Sequence, residues 1–395
     1  MSRVGRLWSF ALRAYGRLPL GDGPTRAIRA LSLRIFGVVR VGDIAPGETL
    51  LPSVEVDLAA AGVDALREEI DHAPLRIAVT PLPPDRTVRH PAYRLHVLPD
   101  ALVAGDGRVF DARARLVRAA MLTHMHTAVN RGRLGGAATA RLPGLHLNLN
   151  WWVGSTNIYH WHRDVVSRAW WLSGHDGRDT VTVLHPEDPT PFERHTLGAL
   201  ERRYPWVRLA PLARAARVRV ERLAIATATE YLPGSGLLHP EVARWVRSVN
   251  LDGVDATGPQ VDVLYTSRAG ATHRRLRDEA ELEGMLRETF GATVVRMETL
   301  PVAAQMALAA RARVLVSVFG AGLAQVFFTL GDGVVEVSNS DARQTHFLTL
   351  AHSLGVPHRR VEGGRADDAQ DFTLGPEGRD RVRREVAALL AHTRA

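Results

Sequence analysis

Three groups of residues have types and spacings that can do chemistry. The first is Asn157-Ile158-Tyr159-His160-Trp161-His162-Arg163-Asp164, in which His160 and Asp164 are four residues apart. On a helix they share a face. A carboxylate there can hold an imidazole in the tautomer that takes a proton from a hydroxyl. Either residue is a candidate general base. The competing reading is a plain surface ion pair between Asp164 and Arg168, also four apart. The second group is Arg268, Arg274 and Arg275, just after the apolar run Val261–Thr266. Guanidinium forks suit pyrophosphate. The third is Phe319-Gly320-Ala321-Gly322-Leu323. Glycines after a buried strand let a backbone approach a ligand, and the N–H groups opening a following helix attract an anion. As a dinucleotide fingerprint the run is incomplete, because Gln325 stands where the third glycine belongs. Glu336, near the end of the next strand, is placed to hydrogen-bond a ribose. A tight turn whose glycines serve packing alone is the other reading.

The elements that must position these groups are regular in the second half. Val261–Thr266, Thr293–Met297, Val314–Val318 and Val334–Val337 read as short buried strands. Helices alternate with them. Asp278 and Glu281 predict a capping box, followed by the stripe Leu282, Met285, Leu286 and Phe290. Pro301 opens a second helix, another follows Gly322, and a fourth lies around His346–Leu354. This alternation predicts a doubly wound parallel sheet, with the loops after its strands on one ligand-binding edge. The first half is less regular. Arg76–Thr80, Arg94–Leu98 and Val181–Leu184 read as strands, and residues 115–131, 157–172 and 192–204 as helices, giving a second α/β unit. Gly253, Asp255, Gly258 and Pro259 mark a linker. Arg379–Ala391 reads as a helix that crosses back to the first unit.

Composition narrows the chemistry. The 395 residues contain no cysteine, and all 50 basic residues are arginine. Thiolate nucleophiles, cysteine zinc sites, Walker lysines and Schiff bases are therefore excluded. His124 and His126, like His160 and His162, diverge on a strand or a helix and have no evident third ligand, so no metal is expected. Residues 1–40 hold eight arginines and one acid, Asp22, and so carry +7 of the formal +8. The near-neutral remainder argues against nucleic acid. Trp8, Phe10, Tyr15 and Phe36 among those arginines suit an anionic membrane surface, while packing as surface helices is the alternative. No apolar run spans a bilayer, and Arg13 and Arg17 interrupt any signal-peptide core. The expected location is cytoplasmic, or peripheral on the inner membrane face.

The run from Tyr265 to Val337 resembles the core of glycosyltransferase family 61. The resemblance rests on Ser267-Arg268, Arg274-Arg275, Asp278-Glu279-Ala280-Glu281, Gln305 through Ala312 to Val316, Phe319 through Phe328, and Gly333-Val334-Val335-Glu336, with Tyr159-His160-Trp161 upstream. It covers roughly residues 150–357. Two positions depart from it: Phe319 stands for the family histidine and Gln325 for an asparagine. The resemblance implies a GT-B-type α/β architecture of two Rossmann-like, doubly wound domains facing a cleft. The boundaries follow as a basic amphipathic segment at 1–45, an acceptor domain at 46–250, a nucleotide-sugar domain at 260–375 and a terminal helix at 376–395. It further implies inverting, metal-independent transfer from a nucleotide-sugar, a co-substrate rather than a cofactor, to a glycan hydroxyl in a bacterial capsule or other cell-envelope polysaccharide. His160 or Asp164 then acts as base. Arg268, Arg274, Arg275, Phe319, Gly320, Gly322, Leu323, Gln325 and Glu336 face the donor. The rivals are an inactive binding scaffold, for which Phe319 speaks, and a nicotinamide-dependent oxidoreductase, which the missing glycine disfavours.

Overall fold

The computed structural model describes residues 38–39, 41–57, 65–68, 78–81, 87–90, 92–117, 138–151, 157–227, 237–341 and 345–391. The basic segment at 1–37 and His124 and His126 lie outside them.

The first sheet is mixed. Its main strands are β1 (Gly47–Leu51), β2 (Tyr93–Ala104), β3 (Ala140–Asn148), β4 (Val181–Pro186), β5 (Val207–Leu212) and β6 (Arg217–Ala226). They run in the order β2-β6-β3-β4-β5, with β1 also pairing β2. The pairs β6–β3, β3–β4 and β4–β5 are parallel, whereas β2 is antiparallel to both β6 and β1. The sequence signal for β3, β5 and β6 was masked by interspersed arginines such as Arg141, Arg208 and Arg219. Two other expectations need correction. The strand expected at Arg76–Thr80 is Ala78–Pro81, paired with Ala65–Glu68. Leu116–Val117, expected to begin a helix, is a strand.

Between β3 and β4 the chain is helical from Ile158 to Gly174, but irregular. An α-turn (Ile158–His160) passes into a π-turn (Trp161–Val165) and then a 3-10 stretch (Val166–Gly174). Every residue from Trp161 to Ala169 is buried, including Arg163, Asp164 and Arg168. The expected surface pair of Asp164 with Arg168 is thereby corrected, since these are interior charges. Helices α1 (Pro191–Arg203) and α2 (Pro240–Asn250) complete this half. Proline at the start of each costs no hydrogen bond there.

The second sheet is wholly parallel. Its strands β7 (Val261–Thr266), β8 (Thr293–Val295), β9 (Ala312–Val318), β10 (Gly333–Ser338) and β11 (His358–Glu362) lie in the order β8-β7-β9-β10-β11. The chain starts at β7, steps to β8 on one side, then returns to β9 on the other. The order therefore reverses between β7 and β9, the place where sheets of this kind bind ligands. Helices α3 (Glu279–Phe290), α4 (Val302–Arg311), α5 (His346–Ser353) and α6 (Gly375–Ala391) flank it.

Alternation along the strands divides the packing. Val263, Tyr265, Val314, Val316, Val335 and Val337 face Leu282 and Leu286 of α3 and Val382, Val386 and Leu389 of α6. Burying each such side chain contributes about 1.5–3 kcal/mol. Helix α6 thus covers the second sheet and does not cross to the first half. Leu264, Leu315 and Val334 point the other way, into one buried cluster that also holds Leu147, Val183, Trp161, Trp245 and Phe327. That core runs continuously from one sheet to the other. The capping box expected at Asp278 is also absent. The Asp278 carboxylate instead accepts the N–H groups of Leu374 and Gly375 at 2.8 Å and pairs with Arg379, so it serves the start of α6.

Candidate functional site

The loops after β7 and β9 meet where the sheet order reverses. Ser267 continues β7, its N–H donating to Val295 at 2.9 Å. Arg268 then turns back over the sheet. Its backbone N–H donates to the buried Glu279 at 2.7 Å. Its guanidinium donates to the carbonyl oxygens of His273 (2.9 Å) and Arg274 (3.3 Å). Among the described residues no carboxylate forms an ion pair with it. Burial holds the Arg268 guanidinium below the usual arginine range, and the neighbouring Arg274 charge adds to the effect.

Arg268 lies directly over the glycine run. A Cβ on Gly320, whose φ is +157°, would collide with the Arg268 guanidinium, its Cζ being 2.8 Å away. Only a glycine lets the two come this close. The helix expected after Gly322 is a seven-residue 3-10 helix, Ala321–Phe327. Beneath Gly322 lie Thr266 and Ser317, whose hydroxyls are 2.5 Å apart. They belong to a polar row across four strands, Thr266–Ser317–Glu336–Arg360, at paired positions of β7, β9, β10 and β11. Four polar side chains across a buried sheet cost desolvation that valines would avoid.

Phe319 is buried and carries the Arg274 guanidinium 5.2 Å above its ring centre. It also meets Phe347 of α5, at 5.6 Å between ring centres. Phe347 in turn meets Tyr159 at 5.1 Å, and Tyr159 meets His160 at 5.3 Å and His346 at 5.8 Å. An aromatic chain thus connects the arginine loop to the histidine–aspartate pair across some 110 residues of sequence.

The helical turn places His160 and Asp164 as their spacing predicts. His160 Nδ1 is 2.7 Å from Asp164 Oδ2, and Arg163 donates to Asp164 Oδ1 at 2.5 Å. Burial opposes charge on Asp164, but the Arg163 guanidinium and the His160 hydrogen bond outweigh it and hold the carboxyl well below the usual range. Two residues on, His162 is fully buried. Its Nδ1 is 2.8 Å from the Ile158 carbonyl and its Nε2 3.0 Å from Asn250 Oδ1. Burial pushes its pKa down to about 4, overriding these two acceptors. The unfolded chain therefore binds the proton more readily. His162 stabilises the fold above about pH 6.5 and loses this contribution as the pH falls toward 4, a loss on the order of 3 kcal/mol. Thermal melts over pH 4–7 are expected to show that fall, and His162→Gln to flatten it.

Other expected site residues are engaged within the fold. Arg275 points outward and donates from two guanidinium nitrogens to Asp371 Oδ2, at 2.7 and 2.9 Å. Glu336 is 1% exposed, between Arg360 at 3.0 Å and His358 at 3.1 Å, and these pairs hold it ionised against burial. A ribose contact by Glu336 would require breaking them. Leu323 is core. Gln325 is buried and donates to Gln305 at 3.2 Å, which joins two widely spaced residues of the family-like pattern. Sequence reading had no means of finding Phe347, His346 or the polar row. Phe347 reads as ordinary helix core, and the row exists only once four strands are in register.

Among the described residues no three histidine, aspartate or glutamate side chains cluster as a metal site, and no helix is long and apolar enough to cross a membrane. Residues 158–335 match the glycosyltransferase 61 family. No curated protein matches the chain in sequence. Among solved structures it is similar to the bacterial iron-containing dodecameric glycosyltransferase TibC from enterotoxigenic E. coli, at 12% identity and a TM-score of 0.29, over 63% of this chain and 76% of that one.

Proposed function

We propose, on the premise that residues 158–335 form a glycosyltransferase family 61 domain, that this glycosyltransferase takes its sugar from a nucleoside-diphosphate donor seated on Arg268 and Arg274 above Gly320. The observation that carries the reading is Arg268 itself: a half-buried guanidinium, crowded by a second one, in ion-pair contact with no carboxylate among the described residues, and held below the usual arginine range despite Glu279 and Glu298 nearby, at the point where the sheet order reverses. A cation so placed is satisfied by a bound anion. Phe319, which cannot donate a hydrogen bond, serves by seating Arg274 on its ring. The units 46–250 and 260–375 meet at this edge, the first supplying the base and the acceptor.

The pair His160–Asp164 supports an inverting displacement. Asp164 is too weakly basic to take a hydroxyl proton, so it positions. It accepts the Nδ1–H of His160, which leaves the lone pair on Nε2. The acceptor hydroxyl gives its proton to Nε2 as its oxygen bonds to the anomeric carbon. The bond from that carbon to the diphosphate breaks, and its electron pair leaves on the phosphate oxygen, where the two guanidiniums stabilise it. The acceptor class is a glycan hydroxyl of a cell-surface polysaccharide precursor. Two arginines supply the charge that a divalent cation would otherwise bring, so transfer is expected to persist in EDTA.

Gly320→Ala tests the seat directly. The added methyl displaces the flexible end of Arg268 and not backbone. The expected result is a five- to tenfold (roughly 1 kcal/mol) weaker nucleoside-diphosphate affinity, together with a lower melting temperature, because the backbone at Gly320, φ +157° and ψ −172°, is one that residues with a Cβ rarely adopt. Unchanged affinity would remove Gly320 from the site.

A further inference from the structure

The guanidinium of Arg268 hangs on two consecutive peptide groups. Its Nη2–H donates to the carbonyl of His273 at 2.9 Å and its Nε–H to the carbonyl of Arg274 at 3.3 Å. The nitrogen ends of the same two peptides are held by a distant loop. The Arg274 N–H donates to the Ala369 carbonyl at 3.1 Å. The Arg275 N–H donates to Oδ1 of Asp371 at 2.8 Å. A trans peptide points its N–H and its C=O in opposite directions. Each of these peptides therefore lies between residues 369–371 on one side and Arg268 on the other. Arg274, which joins them, is left-handed at φ +58°. That conformation is costly for a residue with a Cβ and persists only where the surroundings enforce it.

Asp371 is the charged member of this arrangement, and it is 3% exposed. The Arg275 N–H, and after it the Arg275 side chain, hold its carboxyl below the usual carboxylate range. A carboxylate at the nitrogen end of a peptide polarises it, which makes the carbonyl at the other end a stronger acceptor. Other bonds fix Asp371 in place. Its own N–H donates to Asp367 Oδ1 at 2.9 Å. The Phe372 N–H donates to the Arg275 carbonyl at 3.1 Å, and the Arg277 N–H to the Phe372 carbonyl at 2.9 Å. Leu276 and Phe372 anchor both loops in the core beneath α3 and α6. Asp371 also lies beyond residues 158–335, so the family match does not reach it.

We infer that Asp371 is a positioning residue for the donor seat: through the peptide that joins Arg274 to Arg275, it fixes the carbonyl that holds the Arg268 guanidinium over Gly320. This inference rests on the seat proposed above and adds the group that sets its geometry.

Inorganic pyrophosphate is the probe, titrated by calorimetry at low salt into the full chain, with a thermal melt of each variant. Wild type is expected to bind it. Asp371→Ala should weaken binding about five- to tenfold, yet change it less than about twofold when Arg268→Ala is already present, because coupled residues do not add. Its melting temperature should fall equally in both backgrounds. A merely structural Asp371 predicts the same fold loss of affinity with and without Arg268, and that result overturns the inference. Asp371→Asn can still accept the Arg275 N–H, so it should fold and bind within about threefold of wild type. A loss of about tenfold or more in Asp371→Asn, at an unchanged melting temperature, would also overturn the route through the peptide. If Arg268→Ala binds pyrophosphate as wild type does, the seat itself is wrong. Wild type that binds none overturns both readings.

Discussion

Arg268→Ala is expected to weaken nucleoside-diphosphate binding by one to two orders of magnitude while leaving the protein as stable as before, or more so. The loss follows from removing charge-assisted hydrogen bonds, worth about 1.5–3 kcal/mol, which is roughly a factor of 10–100. Unchanged stability is the more diagnostic half. Arg268 is penalised by burial and by the Arg274 charge, which together outweigh the attraction of Glu279 and Glu298, and its guanidinium donates to two neutral carbonyls. Such a trade of stability for function is common at binding sites. Calorimetric titration beside a thermal melt checks both halves. A large drop in melting temperature would make Arg268 a structural residue.

His160→Ala should act on a different quantity. Removing a general base typically costs about 10²–10⁴ in turnover, and the donor contacts at Arg268 and Gly320 do not involve His160. The expected outcome is a kcat down at least a hundredfold with nucleoside-diphosphate affinity unchanged, read from steady-state transfer and from titration of the same preparation. Asp164→Asn should give a smaller loss in kcat but a lower melting temperature, because it removes the charge that Arg163 pairs with in the interior. Turnover of His160→Ala at the wild-type rate would place the base elsewhere.

Much of the second half could be read from the chain because parallel strands buried on both faces are continuous apolar runs. Val261–Thr266 and Val314–Val318 are identifiable for that reason, and their order alone puts Arg268 and Gly320 on one edge of a parallel sheet. The helix face shared by His160 and Asp164 followed from spacing alone. The first half resisted because its strands alternate core residues with arginine, and because the stretch from Trp161 to Ala169 is buried all round and carries no amphipathic stripe. Arg275 and Glu336 show the other limit. Both have the chemistry of a donor ligand, but Asp371 and Arg360, which occupy them, lie 96 and 24 residues away. Asp278 was drawn from its capping box in the same way, by a helix that begins at Gly375. Local pattern names the groups that can bind an anion, and only tertiary pairing decides which of them are already neutralised.

The most direct test of the donor seat is a thermal-shift panel on the full chain and on Arg268→Ala, in EDTA, with UDP, GDP, dTDP, CMP, their sugar conjugates and NAD. A ligand that binds only the folded state raises its melting temperature. The account predicts that one nucleoside diphosphate and its sugar conjugate stabilise wild type, and that the shift disappears in Arg268→Ala. Stabilisation by NAD alone, equal shifts in both proteins, or no shift with any nucleotide would contradict it.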